Sequence, residues 1–204
     1  MNRRPDILGE FTADHRAVTE LLDQVERAPA GGAERADLLA RLTDLLFTHC
    51  AAEEEHLFPL VQHDAPDGGA LVFGSIHEHL AIGQYLSDLQ GLDPADPAFD
   101  TLLRGLADTL RRHLADEEKR LFPAARKAVP AAARAALGDR LRAERAETAD
   151  AGEAGRVRGA AEAGESGGAG RVGEAADAGD AGRVGESGEA PKAAESAESA
   201  EAGP

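Results

Sequence analysis

Residues 49–59, HCAAEEEHLFP, return 64 positions later as residues 113–123, HLADEEKRLFP. Both copies open with a histidine, carry a glutamate four residues on and end in Leu-Phe-Pro. The same offset relates Asp14-His15 to Glu78-His79. A fixed offset shared by several polar positions indicates an internal duplication, in which two equivalent half-sites face each other.

Four stretches around these copies carry apolar residues at steps of three and four, the spacing of one stripe on an α-helix. The breaks between them fall at residues 29–32, 64–69 and 93–97, and Asp96 is placed to cap a helix that begins at Pro97. No alternating strand pattern is present, and aromatic residues make up only 3%. We therefore predict an all-α, up-down antiparallel four-helix bundle, with a short fifth helix from Pro130 to about Ala146.

The end of the chain has a different composition. From Arg145 onward the sequence contains no leucine, isoleucine or phenylalanine, and it is acidic and rich in alanine and glycine. Such a stretch buries too little apolar surface to offset the entropy lost on ordering. We predict a helical bundle domain over residues 1–146 and a disordered, acidic, low-complexity tail over residues 147–204.

Charge and cysteine content exclude several classes of function. The formal net charge of −16 argues against binding to nucleic acid or to an anionic membrane. Cys50 is the single cysteine, so an intramolecular disulfide is excluded, and we expect it to be a buried packing thiol. The sequence shows no signal peptide and no transmembrane stretch. We expect a cytoplasmic protein without a membrane partner, and the sequence leaves any protein partner unknown.

The repeated motif carries a set of metal-ligand residue types. His49 and Glu53 lie one helical turn apart on the same face, as do His113 and Glu117. Two further histidines lie on apolar stripes that we expect in the core. His15 lies on the stripe of Phe11, Val18 and Leu22, and His79 on that of Ile76, Ile82 and Leu86. The candidate metal ligands are therefore His15, His49, Glu53, His79, His113 and Glu117.

Burying the two carboxylates is costly, and they repel each other, whereas two dications would relieve both problems. Imidazole and carboxylate suit iron, and also zinc, manganese or nickel. The two glutamates could bridge two ions, each of which would also take two histidines.

Simpler interpretations apply to each residue alone. A single core histidine is more often satisfied by a backbone carbonyl, and a single His-x-x-x-Glu pair is more often a polar pair on a helix surface. Here six positions would have to coincide. A ferritin-like carboxylate site needs Glu-x-x-His twice, and the second copy reads Glu117-x-x-Arg120, so that interpretation is weaker.

Other polar residues near the motif have different expectations. His56 lies seven residues after His49, almost on the same face, and is an additional candidate ligand. His63 and His77 are expected to be exposed. Glu54 and Glu118 point about 140° away from the histidines of their own helices, so we expect them on the solvated face.

These motifs resemble the hemerythrin family, in the bacterial form called the HHE cation-binding domain, over about Ile7 to Lys127. The resemblance implies a non-haem di-iron centre inside the bundle, with the four histidines as terminal ligands and Glu53 and Glu117 as bridges. Two positions depart from the oxygen-carrying members. Gly83 replaces a second histidine of the third helix, and Glu117 follows His113 in place of a His-x-x-x-x-Asp pattern.

The resemblance implies a protein that binds or senses oxygen, nitric oxide or peroxide, or that handles iron. The alternative is a di-iron enzyme that scavenges peroxide or nitric oxide, because Gly83 leaves a coordination position open. No further acid, base or nucleophile stands out, which favours a binding protein over an enzyme. A third interpretation is an interaction module with a structural metal site, whose acidic tail recruits a partner.

Overall fold

The computed structural model describes residues 4–165 and, within them, the side chains of residues 4–150. All of its regular structure is helical, and no strand occurs in this range. In chain order the helices are α1 (Ile7–Arg27), α2 (Ala33–Ala52), π1 (Glu53–Leu57), α3 (Phe58–Asp64), α4 (Gly68–Gln90), α5 (Pro97–Asp116), π2 (Glu117–Leu121), α6 (Phe122–Ala128) and α7 (Ala131–Glu165).

The segments form the predicted four-helix bundle. Because α2, π1 and α3 are continuous, as are α5, π2 and α6, the bundle consists of four long rods joined by short turns. Helix α1 packs against α2 and α5, and α4 packs against α3 and α5. The up-down arrangement predicted from the apolar spacing is confirmed.

The turns that join the rods follow local side-chain chemistry. Asp96 caps α5 by accepting a hydrogen bond from the Ala98 amide at 2.8 Å, as the sequence predicts. Gly31 adopts a φ of 73°, and its amide donates to the Pro94 carbonyl oxygen at 3.1 Å. The turn between the first two rods therefore contacts the turn between the last two, so the two halves of the duplication meet at this end.

The apolar core is divided into two layers. One contains Val18, Leu22, Leu42, Leu106 and other buried side chains. The other contains residues near the opposite ends of the rods, including Phe11, Phe58, Val61, Phe122 and Ala125. Along α1 the two layers are separated by the level of His15, so a polar layer lies between two apolar ones.

The apolar stripe of α4 differs from the prediction at one position. Ile76 was expected beside His79 in the core, but its side chain is 39% exposed. Helix α4 instead buries Val72, Ser75 and His79, which are spaced three and four residues apart. The stripe therefore continues through a serine, and Ile76 lies on the surface.

The fifth helix is longer than predicted. Helix α7 runs from Ala131 to Glu165, and Leu141 anchors it in the core with 2% of its surface exposed. The prediction ended this helix at about Ala146 because large apolar residues stop there, but alanine, glutamate and arginine favour helix without them. Of the predicted tail, residues 166–204 lie outside the described residues. The division at residue 146 stays a prediction.

Two π-turns interrupt the rods at equivalent places. In π1 the Phe58 amide donates to the Glu53 carbonyl, and in π2 the Phe122 amide donates to the Glu117 carbonyl. Each is followed by a proline, Pro59 or Pro123, which has no amide hydrogen and crowds the carbonyl four residues earlier. The wider i→i+5 turn accommodates that ring, and π-bulges of this kind occur frequently at functional sites. The apolar spacing along the chain predicts uninterrupted α-helix at both places.

A search of the helices within residues 4–165 finds none with the length and apolar character needed to span a bilayer.

Candidate metal centre

The structure brings the six predicted ligands together in the middle of the bundle. They come from six elements, and none has more than 8% of its surface exposed. Their donor atoms form two groups, each with all its atoms within 4.8 Å of one another. One group contains His15, His49, Glu53 and Glu117, and the other contains His79, His113, Glu53 and Glu117.

Glu53 and Glu117 are common to both groups. The Oε2 atom of Glu53 lies 3.4 Å from His49 Nε2 and 3.5 Å from His79 Nε2. The Oε2 atom of Glu117 lies 3.4 Å from His15 Nε2 and 3.6 Å from His113 Nε2. Each carboxylate therefore reaches one histidine from each group, which is the arrangement that a bridging carboxylate requires.

Each of the four histidines is oriented by a second carboxylate. The Nδ1 atom of His49 donates to Asp14 at 3.4 Å, and that of His113 donates to Glu78 at 3.2 Å. The two pairs are related by the 64-residue offset. A hydrogen bond at Nδ1 fixes the ring and leaves Nε2 facing the interior, as is usual for metal-binding histidines.

Glu54 and Glu118 orient the other two histidines. The His79 Nδ1 atom donates to Glu54 at 2.7 Å, and the His15 Nδ1 atom donates to Glu118 at 3.0 Å. Both acids are exposed, as predicted, but the prediction did not include their contacts with the histidines. About half of each side chain is exposed, but each reaches across the groove to a histidine on a neighbouring helix. A helical wheel describes directions around one helix and cannot show what lies across from it.

The centre passes a test of whether a cation fits. Eight buried atoms in it have no hydrogen-bond partner: the Nε2 atoms of the four histidines and both carboxylate oxygens of Glu53 and Glu117. Buried polar atoms are normally satisfied, and leaving one unpaired costs about 1–3 kcal/mol. Once deprotonated, all eight offer lone pairs that converge on the same space, so cations would satisfy them together.

The charge balance leads to the same conclusion. Six carboxylates surround the four imidazoles, and of the residues whose side chains are described only Arg145 and Arg112 form ion pairs with them, at Asp14 and Glu78 respectively. Burial, together with the neighbouring Glu117 carboxylate, raises the pKa of Glu53 well above its usual value. Without cations, Glu53 therefore retains a proton to relieve the repulsion.

The histidine pKa values differ between positions. Burial lowers the pKa of His49 and of His113, which keeps both rings neutral and able to ligate. Burial also opposes the charged form of His79, but the neighbouring Cys50 and the hydrogen-bonded Glu54 outweigh that effect and raise its pKa to about 9. A cation at this position would have to displace that proton.

The structure does not bring His56 to the centre, so the prediction of a seventh ligand is corrected. Its Nε2 atom lies 2.7 Å from Glu144 of α7, and neither donor group includes it. His56 follows Glu53 within π1, where the wider turn rotates the later residues away from the direction that a regular helix gives.

The remaining polar residues are placed largely as expected. His63 and His77 are exposed. Cys50 is half-buried beside His79 rather than fully buried, and burial raises the pKa of its thiol. The four carboxylates that orient the histidines were missed as a set. Their signal was present in the sequence, because Asp14 and Glu78, like Glu54 and Glu118, share the 64-residue offset.

Comparison with known proteins was made at the level of sequence and of structure. The sequence profile of the hemerythrin HHE cation binding domain matches residues 6–125. A search of curated proteins found no match. The fold is similar to the crystal structure of a hemerythrin HHE cation binding domain-containing protein from Mycobacterium kansasii. The TM-score is 0.62 at 20% identity, with 69% of this chain and 85% of that chain covered.

The profile covers more than half of the chain and includes all six candidate ligands, and the solved structure shares the helical bundle. The clustered histidines and glutamates agree with the cation binding for which the profile is named. The chain therefore belongs to the hemerythrin HHE cation binding domain family.

Proposed function

We propose that the protein holds two iron ions between its two histidine pairs and binds or senses a small ligand such as oxygen, nitric oxide or peroxide. The observation that supports this most directly is the convergence of eight unpartnered lone-pair atoms in two groups that share both glutamates. Iron bound there would supply reversible redox chemistry and open coordination positions for a small ligand.

The residues of the chain have distinct roles in this proposal. His15 and His49 would hold one ion, and His79 and His113 the other. Glu53 and Glu117 would bridge the two and neutralise part of their charge. The carboxylates at each Nδ1 atom keep the rings in place, and the apolar layers on either side limit the access of water.

The first test is the metal content of protein produced with iron, together with its optical spectrum in air and after azide addition. About two irons per chain, with charge-transfer bands that shift on azide, would support the proposal. A well-folded protein that contains one zinc or no metal would contradict it. Addition of oxygen, nitric oxide or peroxide then separates reversible binding from turnover.

A di-iron enzyme that scavenges peroxide or nitric oxide is the second candidate. The observation that favours it is the space at Gly83, where an added Cβ atom would have no heavy atom within 4 Å and where the chain supplies no ligand. Steady turnover of hydrogen peroxide by the iron-loaded protein, abolished in Glu53→Ala, would establish this candidate. Binding without turnover would exclude it.

A structural metal site in an interaction module is tested by a deletion. Removal of residues 149–204 leaves all six candidate ligands and the four carboxylates that orient them in place. If the deletion changes neither metal content nor fold but abolishes a cellular phenotype, the interaction-module hypothesis gains support. If the phenotype survives, the tail is dispensable and this hypothesis fails.

A further inference from the structure

Two surface pockets lie over the metal centre at positions related by the internal duplication. One lies between α2 and α4, with His79 and Glu54 among its lining residues. The other lies between α1 and α5, with His15 and Glu118 at the equivalent places. His15 and Glu118 correspond to His79 and Glu54 at the 64-residue offset. Equivalent residues therefore line the two pockets where they face the centre.

The walls of the two pockets have diverged. The α2–α4 pocket is lined largely by apolar side chains, with Glu54 as its one acidic residue and no lysine or arginine. Its exposed rim includes Phe47 and Leu80, with 76% and 67% of their surfaces accessible. Monomeric proteins rarely leave large apolar side chains grouped on the surface without a binding role.

The α1–α5 pocket is charged where its counterpart is apolar. In its lining Arg16 takes the place of Leu80, and Arg27 forms an ion pair with Asp23. Arg111, which corresponds to Phe47, lies outside the lining but also forms ion pairs with Asp23 and Glu26 across this face. The histidine and glutamate that line both pockets are therefore equivalent, but the surrounding side chains are apolar in one pocket and form salt bridges at the other.

Gly83 leaves open space in the lining of the apolar pocket. It lies one turn after His79, and a methyl group at its Cβ position would meet no heavy atom within 4 Å. The equivalent residue in the charged pocket is Thr19. The α2–α4 pocket has a volume of about 510 Å³, which is within the range that holds a small organic ligand.

We propose that the α2–α4 pocket binds an uncharged, largely apolar small molecule beside the His79–His113 position, whereas the α1–α5 pocket does not. The presence of a reactive metal next to this ligand rests on the proposed function, but the binding of the ligand does not. A concave pocket lined by His79, Cys50 and Gly83 fits a small molecule better than the flat contact of a second protein copy.

The test uses N-phenyl-1-naphthylamine, an uncharged apolar dye that fluoresces on burial, with the full-length protein in metal-free and metal-loaded forms. Gly83→Leu fills the pocket and removes a helix-weakening glycine, so it should fold. Thr19→Leu is the matched control in the other pocket. We expect saturable binding of one dye per chain, weakened at least about tenfold in Gly83→Leu and unchanged in Thr19→Leu.

Equal binding by wild type and Gly83→Leu, or no saturable binding by the wild type, would overturn the proposal. The remaining alternative is that a second copy of the chain occupies this face. Sedimentation of the wild type and of Phe47→Glu tests that alternative. A wild-type dimer that Phe47→Glu dissociates would assign this face to a second copy and overturn the small-molecule site. Dye binding by the metal-free protein does not depend on iron. Failure of the small-molecule proposal is therefore distinguishable from failure of the di-iron proposal.

Discussion

At the scale of residues, each histidine among the candidate ligands depends on a carboxylate that the sequence did not assign to the site. His15, His49, His79 and His113 each donate from Nδ1 to a carboxylate, which leaves Nε2 directed at the interior. A neutral imidazole on a flexible side chain would otherwise sample several orientations and lose affinity for a cation. Orientation of the rings is therefore as much a part of the site as the ligands themselves.

Glu53→Gln should have opposite effects on the two forms of the protein. The carboxylate is fully buried and its pKa is raised by burial and by Glu117, so the metal-free protein should be as stable as wild type or more stable. The loaded form loses a bridging oxygen and should retain less metal. Calorimetry and elemental analysis measure both effects, with the exposed Glu55→Gln as control. Wild-type metal content in Glu53→Gln would contradict the bridging role.

Asp14→Asn and Glu78→Gln test the orienting carboxylates. Each change keeps the shape of the side chain but weakens the hydrogen bond to His49 or His113. We expect affinity for the metal to fall by about 10–100-fold with little change in helix content, measured by metal titration and circular dichroism. Unchanged affinity in both variants would show that the rings are held by packing alone.

At the scale of elements, α7 supports the centre from outside the four-helix bundle. Arg145 donates two hydrogen bonds to Asp14, at 3.1 and 2.5 Å, and Asp14 accepts from His49. Burial raises the pKa of Asp14, but His49 and Arg145 together bring it below its usual value, so Asp14 stays ionised. In the described part of the chain, the arginine that pairs with Glu78 in the second half is the exposed Arg112, so the two histidine pairs are unequal.

Arg145→Ala should therefore weaken metal binding through α7 without unfolding the bundle. Asp14 loses its fixed partner, and we expect affinity to fall several-fold, up to about tenfold, at the His15–His49 position. Arg142→Ala is the matched control, because Arg142 lies on the same helix and contacts Glu10 and the Pro5 carbonyl instead of the centre. Equal loss of affinity in both variants would indicate a general effect of α7 packing.

At the scale of the whole molecule, the centre joins the two halves of the duplication. Glu53 from the first half approaches His79 of the second, and Glu117 from the second approaches His15 of the first. The links from Glu118 to His15 and from Glu54 to His79 cross in the same way. Neither half alone supplies a complete donor group, so metal binding and packing of the halves should be coupled.

Removal of the metal should lower the melting temperature by at least about 10 °C, since cations offset the burial of Glu53 and Glu117. Because the pKa of Glu53 is raised in the metal-free folded state, that state loses stability as pH rises above about 4.3. The difference in melting temperature between loaded and chelator-treated protein should therefore widen from about pH 5 to about pH 8. A difference that is constant or narrows would contradict a shared buried carboxylate pair.

The sequence by itself determined the bundle and the set of six polar residues. Apolar spacing of three and four gives the helices, and the 64-residue offset selects His15, His49, Glu53 and their counterparts without knowledge of the fold. The apolar spacing and the 64-residue offset are both patterns along the chain, so they can be identified from the sequence alone. That these residues ligate a metal stays a prediction until it is measured.

Only the tertiary structure decided how the residues of different helices meet. It placed Glu54 against His79, directed His56 to Glu144, exposed Ile76 and brought Arg145 to Asp14. It also showed that the wall over His79 is apolar while the equivalent wall over His15 is salt-bridged. These contacts depend on helix rotation, on the π-turns and on the docking of α7, and such distances between elements are not contained in the spacing along any one of them.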